Sequence, residues 1–251
     1  ARQYASGRGG GGGNESGDDD GRDGGRGEES DAERRQREGF LGAATFLSTK
    51  YESLRRVRGD GNCYYRAFLY SLCERLLRRR GALLLARDDD DDGENDDEDG
   101  EFERLKELVA GSLKWVCRFG YDEYTIDMFH EELVELFDFI EGAFEKKSGD
   151  GDDNSNSLED ALKQLHSRLN EENACSDYCT WFMRVLTAAQ MKSDPDRYLP
   201  FLIAEGNDHY ADVSAFCARE VEPMGRECGM VQVSALAERM GVRVVIEYVD
   251  G

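Results

Sequence analysis

Histidine is scarce in this sequence and long apolar segments are missing. The first shortage limits the side chains that could act as a catalytic base, and the second argues against a membrane-spanning protein. The 251 residues include three histidines, the side chains best suited to act as a base near neutral pH. No apolar run approaches the ~20 residues that a membrane-spanning helix requires, and no secretory hydrophobic segment opens the chain. We therefore expect a protein without a membrane partner, located in the cytoplasm or the nucleus.

Basic residues are outnumbered, which argues against nucleic acid as a ligand. The formal net charge is −22, with 54 acidic and 32 basic side chains. Ten of the acids lie in residues 88–99 and three in 150–153, so the remaining chain has 41 acids against 32 bases. This moderate acidic excess cannot neutralise phosphates. It suits a basic protein partner, although solubility alone also explains it.

Cysteine occurs in an odd number and without the spacing of a metal site. Cys175 and Cys179 lie one helical turn apart, but no second pair with metal-ligand spacing follows, so helix packing is favoured over zinc binding. The odd number indicates free thiols in a reducing compartment. We predict no metal and no organic cofactor. The seven positions are Cys63, Cys73, Cys117, Cys175, Cys179, Cys217 and Cys228.

Low-complexity segments reduce the chain to about one domain. Residues 1–30 are rich in Gly, Asp and Arg and nearly free of apolar side chains, so burial cannot offset the entropy of ordering. We predict that they form a disordered tail. Residues 88–100 and 148–156 are strongly polar, which is typical of inserted, solvated loops. The remaining chain, residues 31–251, is then predicted to be a single domain.

A tight polar turn delivers a cysteine to the start of an apolar helix. Asp60 and Gly61 are typical turn residues, since glycine accepts positive φ and Asp bonds to nearby backbone. Cys63 therefore lies at or near a helix N-terminus, with Asn62 as its cap. The helix is indicated by apolar residues at helical spacing, namely Phe68, Leu69, Leu72, Leu76 and Leu77.

Such a position gives a cysteine two chemical advantages. The unpaired N–H groups and the positive end of the helix dipole favour the thiolate, which is the nucleophilic form. The same N–H groups could stabilise an oxyanion. A single cysteine in a turn is nevertheless more often a buried and inert one. The turn by itself leaves both interpretations open.

Three ordered blocks resemble the otubain branch of the ovarian-tumour (OTU) cysteine proteases, over roughly residues 40 to 251. The first block is Val57 to Phe68, with the sequence VRGDGNCYYRAF. The second comprises Ser176, Asp177, Tyr178, Trp181, Arg184, Leu186 and Thr187. The third comprises Glu220 to Met224, then Ala235 to Ala237, then Val245 to Tyr248.

The resemblance implies a deubiquitinase that cleaves isopeptide bonds at the C-terminal glycine of ubiquitin. Cys63 would attack the glycine carbonyl and form an acyl-enzyme. The backbone N–H groups of Asp60 and Cys63 would hold the oxyanion, Gly61 would let the turn form, and Asn62 would cap or shape it. The implied partners are ubiquitin, polyubiquitin chains and ubiquitin-conjugating enzymes. The N-terminal helix would lie near the proximal ubiquitin, which donates the lysine.

The periodicity of the chain predicts a helix-rich α+β fold, which the resemblance specifies as a papain-like α/β protease of the OTU type, with a small sheet surrounded by helices. Residues 242–249 are β-branched and aromatic and are predicted to be a strand. The first predicted helix begins near residue 31, and the second begins at Cys63 and ends at Gly81 or a little beyond. Two more helices, separated by a break at Gly120, are predicted over residues 102–118 and 124–145. The remaining predicted helices cover residues 158–169, 177–191, 208–218 and 231–240.

The base that should accept the thiol proton is not obvious. The resemblance implies a catalytic histidine on a strand after Tyr248, and no histidine follows that residue. His209 lies in a segment similar to the family's H-Y-D, but it precedes the third block. His130 and His166 are predicted to be surface or boundary residues of charged helices.

Two explanations remain for the missing base. Either the natural protein continues past Gly251 and supplies the catalytic histidine there, or it has lost that residue. In both cases we expect the 251-residue chain to be weakly active or inactive. The alternative function is a non-catalytic protein that binds ubiquitin or a conjugating enzyme through the same surface.

Overall fold

The computed structural model describes residues 30–87, 100–144, 157–171 and 175–247. The predicted tail and the two inserted loops lie outside these ranges, apart from Ser30 and Gly100, which belong to helix starts. The described residues fall into two compact units. One contains residues 30–54 and Glu247, and the other contains residues 55–246. No helix in the described ranges is both long and apolar enough to cross a bilayer.

The first unit is built on helix α1, Asp31–Lys50, which confirms the predicted N-terminal helix. Ser30 and Glu33 form a capping box, with Glu33 N donating to Ser30 Oγ at 3.3 Å and Ser30 N donating to Glu33 Oε2 at 2.9 Å. At the other end of α1, Lys50 and the hydroxyl of Tyr51 both bond to the carboxylate of Glu247. No residue of α1 is buried, and its apolar side chains are largely exposed.

The second unit begins with helix α2, Cys63–Arg87, which continues through Gly81 and Leu83. Of the two predicted ends of this helix, the one beyond Gly81 is confirmed and the one at Gly81 is wrong. A Cβ at Gly81 would lie 3.2 Å from the ring of Phe144, so glycine serves here to admit an aromatic ring. The next helices, α3 (Gly100–Cys117), α4 (Glu123–Gly142) and α5 (Leu158–Asn170), confirm the predictions.

Helix α6, Ser176–Ser193, is the centre of the second unit. Twelve of its residues are buried, and it packs against α2, α3, α4, α5 and three later elements. Each large side chain buried there contributes ~1.5–3 kcal/mol of transfer free energy. The predicted buried helix is therefore confirmed. The later elements are α7 (Pro195–Ala204), α8 (Val213–Phe216) with a π-helical turn at Cys217–Val221, and α9 (Met230–Met240).

The predicted strand over residues 242–249 is not confirmed by the six of its residues that the structure describes. Residues 242–247 have no regular secondary structure, and the described part of the chain contains no strand. Val242 and Val244 pack against the core, whereas Val245 is 60% exposed. The alternation holds from Val242 to Val245 but ends at Ile246, which is 39% exposed, and no described segment pairs with these residues. The fold of the described residues is helical.

Candidate functional site

Cys63 is the first residue of α2 and the most accessible of the seven cysteines. It is exposed, whereas Cys73, Cys179 and Cys217 are buried and the other three are partly buried. Its position at N1 places the thiol beside the positive end of a 25-residue helix. The structure therefore contradicts the interpretation of Cys63 as a buried cysteine.

The turn before Cys63 is closed by its own side chains. Asp60 Oδ1 accepts a hydrogen bond from Asn62 N at 3.0 Å, and Gly61 adopts a φ of +76°, which favours glycine. The Asn62 carbonyl accepts the first helical bond, from Arg66 N at 3.1 Å. Within the described residues, the N–H groups of Asp60 and Cys63 donate no hydrogen bond to another protein group. Both donors of the predicted oxyanion site are therefore available.

Asn62 occupies the N-cap position, but its side chain does not cap the helix as predicted. Its Oδ1 accepts hydrogen bonds from Arg184 Nε at 3.1 Å, Arg184 Nη2 at 2.8 Å and Gly225 N at 2.9 Å. The side chain is 5% exposed. Because Oδ1 serves distant partners, it connects the turn to the loop after the π-helical turn. Asn62 therefore shapes the site by tertiary contacts.

Arg66 anchors the turn from the other side. Its guanidinium donates to Asp60 Oδ2 at 2.8 Å, to Asp177 Oδ1 at 2.5 Å and to Ser176 Oγ at 3.1 Å. Burial by itself would raise the pKa of Asp60. The hydrogen bonds from Arg66 and Asn62 N, with the positive charges of Arg66 and Arg58, outweigh that effect and hold the Asp60 pKa below its ordinary value. Asp60 therefore stays ionised and keeps the turn closed.

The loop around Gly225 lies directly against the turn. A Cβ at Gly61 would lie 2.1 Å from the carbonyl oxygen of Gly225, so the two backbones touch. Glu222, at the start of this loop, accepts from Lys192 Nζ at 2.7 Å and from the Tyr121 hydroxyl at 2.7 Å. Sequence reasoning missed these partners. The sequence held one indication of these partners, which is that the segments carrying Arg184 and Glu222 resemble otubain blocks.

No histidine of the described residues is hydrogen-bonded to Cys63. His130 is only 8% exposed, with Nε2 2.9 Å from the Val109 carbonyl oxygen and its ring beside Phe182. Its prediction as a surface or boundary residue is wrong, because α4 turns this side chain inward, where a carbonyl satisfies the ring. His166 and His209 are exposed. Their ring contacts are with Tyr70 and Tyr210 respectively.

The described residues contain no cluster of three or more histidine, cysteine or acidic side chains that could hold a metal ion. Cys175 precedes α6 and Cys179 lies in its first turn, next to the core. The Cys175 thiol donates to the Arg168 carbonyl oxygen at 3.5 Å. These two cysteines therefore pack at a helix end.

The chain is similar to known proteins along most of its length. The family described as Peptidase C65 Otubain matches residues 29–251. The Arabidopsis thaliana ovarian tumor domain-containing deubiquitinating enzyme 1 is 31% identical over 205 residues, which are 81% of this chain and 56% of that protein. The Caenorhabditis elegans ubiquitin thioesterase otubain-like is 27% identical, over 84% of this chain and 60% of that protein. The human ubiquitin thioesterase OTUB2 is 28% identical, over 81% of this chain and 70% of that protein.

The described fold is also found among solved structures. A complex of ceOTUB1 with ubiquitin aldehyde and UBC13~Ub aligns with a TM-score of 0.60 at 24% identity, covering 81% of this chain and 66% of that one. The helix-rich architecture is therefore OTUB1-like. This chain spans 56% and 60% of the length of the plant and nematode proteins.

Proposed function

Since the chain belongs to the otubain family of C65 peptidases, we propose that it is a cysteine-dependent deubiquitinase. The observation that carries the proposal is an exposed thiol at the first residue of a long helix, in the same turn as two backbone N–H groups that have no acceptor among the described residues. The names of the relatives, ubiquitin thioesterase and deubiquitinating enzyme, indicate the substrate class.

In the proposed reaction, the Cys63 thiolate attacks the carbonyl carbon of ubiquitin's C-terminal glycine. The carbonyl oxygen gains negative charge and accepts hydrogen bonds from the N–H groups of Asp60 and Cys63. The tetrahedral intermediate then collapses, the C–N bond breaks, the lysine amine leaves with a proton taken from water, and a thioester remains on Cys63. Water hydrolyses the thioester and frees the thiol. No step requires a metal or an organic cofactor.

We propose ubiquitin and polyubiquitin chains as the partners, and α1 as a contact for the proximal ubiquitin. Helix α1 has no buried residue, and Phe40, Leu41 and Phe46 are 44%, 55% and 61% exposed. Apolar side chains exposed in this way are typical of a surface that binds another protein. The proposal is supported by the implied role of the corresponding otubain arm.

The test is covalent capture by ubiquitin carrying an electrophile at its C-terminus. We expect one adduct per chain, located at Cys63 by peptide mass spectrometry, and no adduct with the Cys63→Ala variant. Cys117→Ala is the matched control, because Cys117 is partly exposed at the end of another helix and should leave capture unchanged. Capture at another cysteine, or equal capture by Cys63→Ala, would contradict the proposal.

A second candidate is binding without turnover, to ubiquitin or to a ubiquitin-conjugating enzyme. It is favoured by the absence of a histidine bonded to Cys63 in the described residues and by the UBC13~Ub present in the similar solved complex. Stable association with ubiquitin or a conjugating enzyme, without capture at any pH, would support this candidate and exclude the thiol mechanism.

We further propose that residues 242–249 form a strand of a small sheet when a partner strand is present, because the segment is rich in β-branched and aromatic residues and because Val242 and Val244 pack against the core while Val245 is exposed. The proposed cellular location rests on the state of the cysteines. All seven cysteines are unpaired, which supports the cytoplasm or the nucleus as the location. Fluorescence microscopy of the tagged protein would test the location.

A further inference from the structure

Arg184 is a fully buried arginine that joins the two segments flanking Cys63. It lies on α6 with 0% of its surface exposed. Toward the turn, it donates twice to Asn62 Oδ1 and once to the Gly61 carbonyl oxygen at 2.8 Å. Toward the loop, it donates to the Val221 carbonyl oxygen at 2.9 Å and to the Arg226 carbonyl oxygen at 2.6 Å. One side chain therefore connects two segments that are about 160 residues apart in sequence.

All of these acceptors are neutral oxygens, which is unusual for a buried charge. A guanidinium removed from water without a carboxylate partner is costly, and stability alone does not favour such an arrangement. Burial lowers the pKa of Arg184, while negative charge on Tyr65, Cys228, Asp60 and Cys63 would act in the opposite direction. The ring of Tyr65 covers the guanidinium at 4.6 Å.

The geometry requires the planar fork of arginine. The three guanidinium nitrogens, held in one plane, reach a side-chain amide and three carbonyls in different directions, with Nη2 shared among three acceptors, whereas lysine offers its donors at a single point. Because the Gly61 and Gly225 backbones already touch, a small displacement of either segment moves the other. The N–H groups of Asp60 and Cys63 belong to the same turn as Gly61 and Asn62. Their position relative to the Cys63 sulfur therefore depends on this connection.

We propose that Arg184 is a positioning residue of the Cys63 site, which holds the turn 60–62 against the loop 221–226 so that the thiol and the oxyanion donors keep their spacing. The inference rests on the proposed function. It assigns Arg184 no contact with the substrate. Loss of the connection should slow the covalent step more than it weakens ubiquitin binding, because misplacement of reacting groups by about 1 Å can cost about 100-fold in rate.

The test compares Arg184→Lys with the native chain and with Arg239→Lys. Arg239 is a matched control, since burial lowers its pKa as well, but its guanidinium lies 3.6 Å from the Trp115 ring of α3. For each variant, the maximal rate and the half-saturating concentration of capture by electrophilic ubiquitin are measured separately. Alkylation of Cys63 by iodoacetamide and urea unfolding are measured alongside.

We expect Arg184→Lys to reduce the maximal capture rate about 10- to 100-fold with less than about a twofold change in half-saturation. Alkylation, which uses no oxyanion donor, should change far less. Arg239→Lys should capture ubiquitin at the native rate. An unchanged capture rate in folded Arg184→Lys, or a loss that only follows the unfolded fraction, would overturn the positioning role.

Asn62→Ala keeps the proposal testable if Arg184→Lys does not fold. It removes the acceptor of two Arg184 bonds and leaves those to Gly61, Val221 and Arg226. A native maximal capture rate in Asn62→Ala would overturn the inference, and a selective loss of that rate would support it. Absence of capture by the native chain would overturn the proposed function, and the positioning role with it. Native capture with unaffected variants would overturn the positioning role alone.

Discussion

Replacing Gly61 with alanine should damage both the stability of the fold and the reactivity of Cys63. Gly61 has a φ of +76°, a conformation that costs an L-residue about 1–2 kcal/mol. The added Cβ would also lie 2.1 Å from the Gly225 carbonyl oxygen and 2.4 Å from its carbon. Ordinary carbon contacts need about 3.5 Å, so the segments must separate by more than about 1 Å.

The loop has little freedom to move away. Gly225 N is bonded to Asn62 Oδ1 at 2.9 Å, and the next carbonyl, that of Arg226, is bonded to Arg184. Forcing extra volume into such a packed region typically costs about 1–3 kcal/mol. Together with the backbone term, Gly61→Ala should lose about 2–5 kcal/mol of unfolding free energy. That is a large part of the ~5–15 kcal/mol that stabilises a typical domain.

Alanine variants of two other glycines distinguish the two causes of destabilisation, the steric clash of the added Cβ and the backbone strain at positive φ. Gly225 has a φ of +80° and its nearest neighbour would be the Asp60 carbonyl oxygen at 3.6 Å, whereas Gly120 has a φ of +91° and nothing within 4 Å. Gly225→Ala and Gly120→Ala should therefore each lose only about 1–2 kcal/mol. Urea unfolding followed by circular dichroism gives the free energies, and capture by electrophilic ubiquitin reports on Cys63.

The reasoning would be refuted by one clear result. If Gly61→Ala unfolds with the same free energy as Gly225→Ala and captures ubiquitin at the native rate, the two backbones do not touch in solution. A selective loss of capture in Gly61→Ala, with a smaller effect of Gly225→Ala and none of Gly120→Ala, is the expected order.

Three further predictions concern capping, pH and thiol reactivity. Asp122 accepts from Thr125 N at 3.0 Å as the N-cap of α4, so Asp122→Ala should cost ~1 kcal/mol in urea unfolding, while Asp127→Ala on the exposed side of α4 should change little. Because the pKa of Asp60 is lowered in the folded state, this carboxylate stabilises the fold above its unfolded pKa of about 3.9, and that stabilisation is lost as the pH falls through the folded pKa. On acidification below about pH 4, the unfolding free energy of Asp60→Asn should therefore fall less than that of the native chain. An equal fall in the two proteins would contradict the lowered pKa. Burial raises the pKa of Cys217 and of Cys228 to about 12, whereas Cys63 is exposed. Limiting iodoacetamide near neutral pH should therefore modify Cys63 before either of these two cysteines, as measured by peptide mass spectrometry. Earlier modification of Cys228 would contradict its burial in the structure.

Helix positions could be predicted where the apolar pattern was local and complete. The period of 3.6 residues located α3, α4, α5 and α6, because each helix buries one face or nearly all of its surface. Helix α7 is missed, because the apolar pattern predicts no helix between residues 191 and 208. Proline is in fact favoured in the first turn of a helix, where its missing N–H is not needed, and α7 begins at Pro195.

The strand over residues 242–249 shows the opposite limit. Its β-branched composition is a local property, but a strand exists only where another strand supplies hydrogen bonds. No described segment does so for residues 242–247. Gly81 is a similar case, because a glycine that could end a helix here lets a ring pack against it.

The order of residues by itself determined that a reactive-type cysteine follows a glycine turn and opens an apolar helix, since turn and helix preferences act over a few neighbouring residues. It could not show what Asn62 or His130 would bond to, nor that the guanidinium of Arg184 would bridge two distant segments. For Asn62 and Arg184 those outcomes were decided by the packing of α6 against the turn and the later loop, and for His130 by the packing of α4 against α3 and α6. Polar groups buried together must satisfy one another, whatever their separation along the chain.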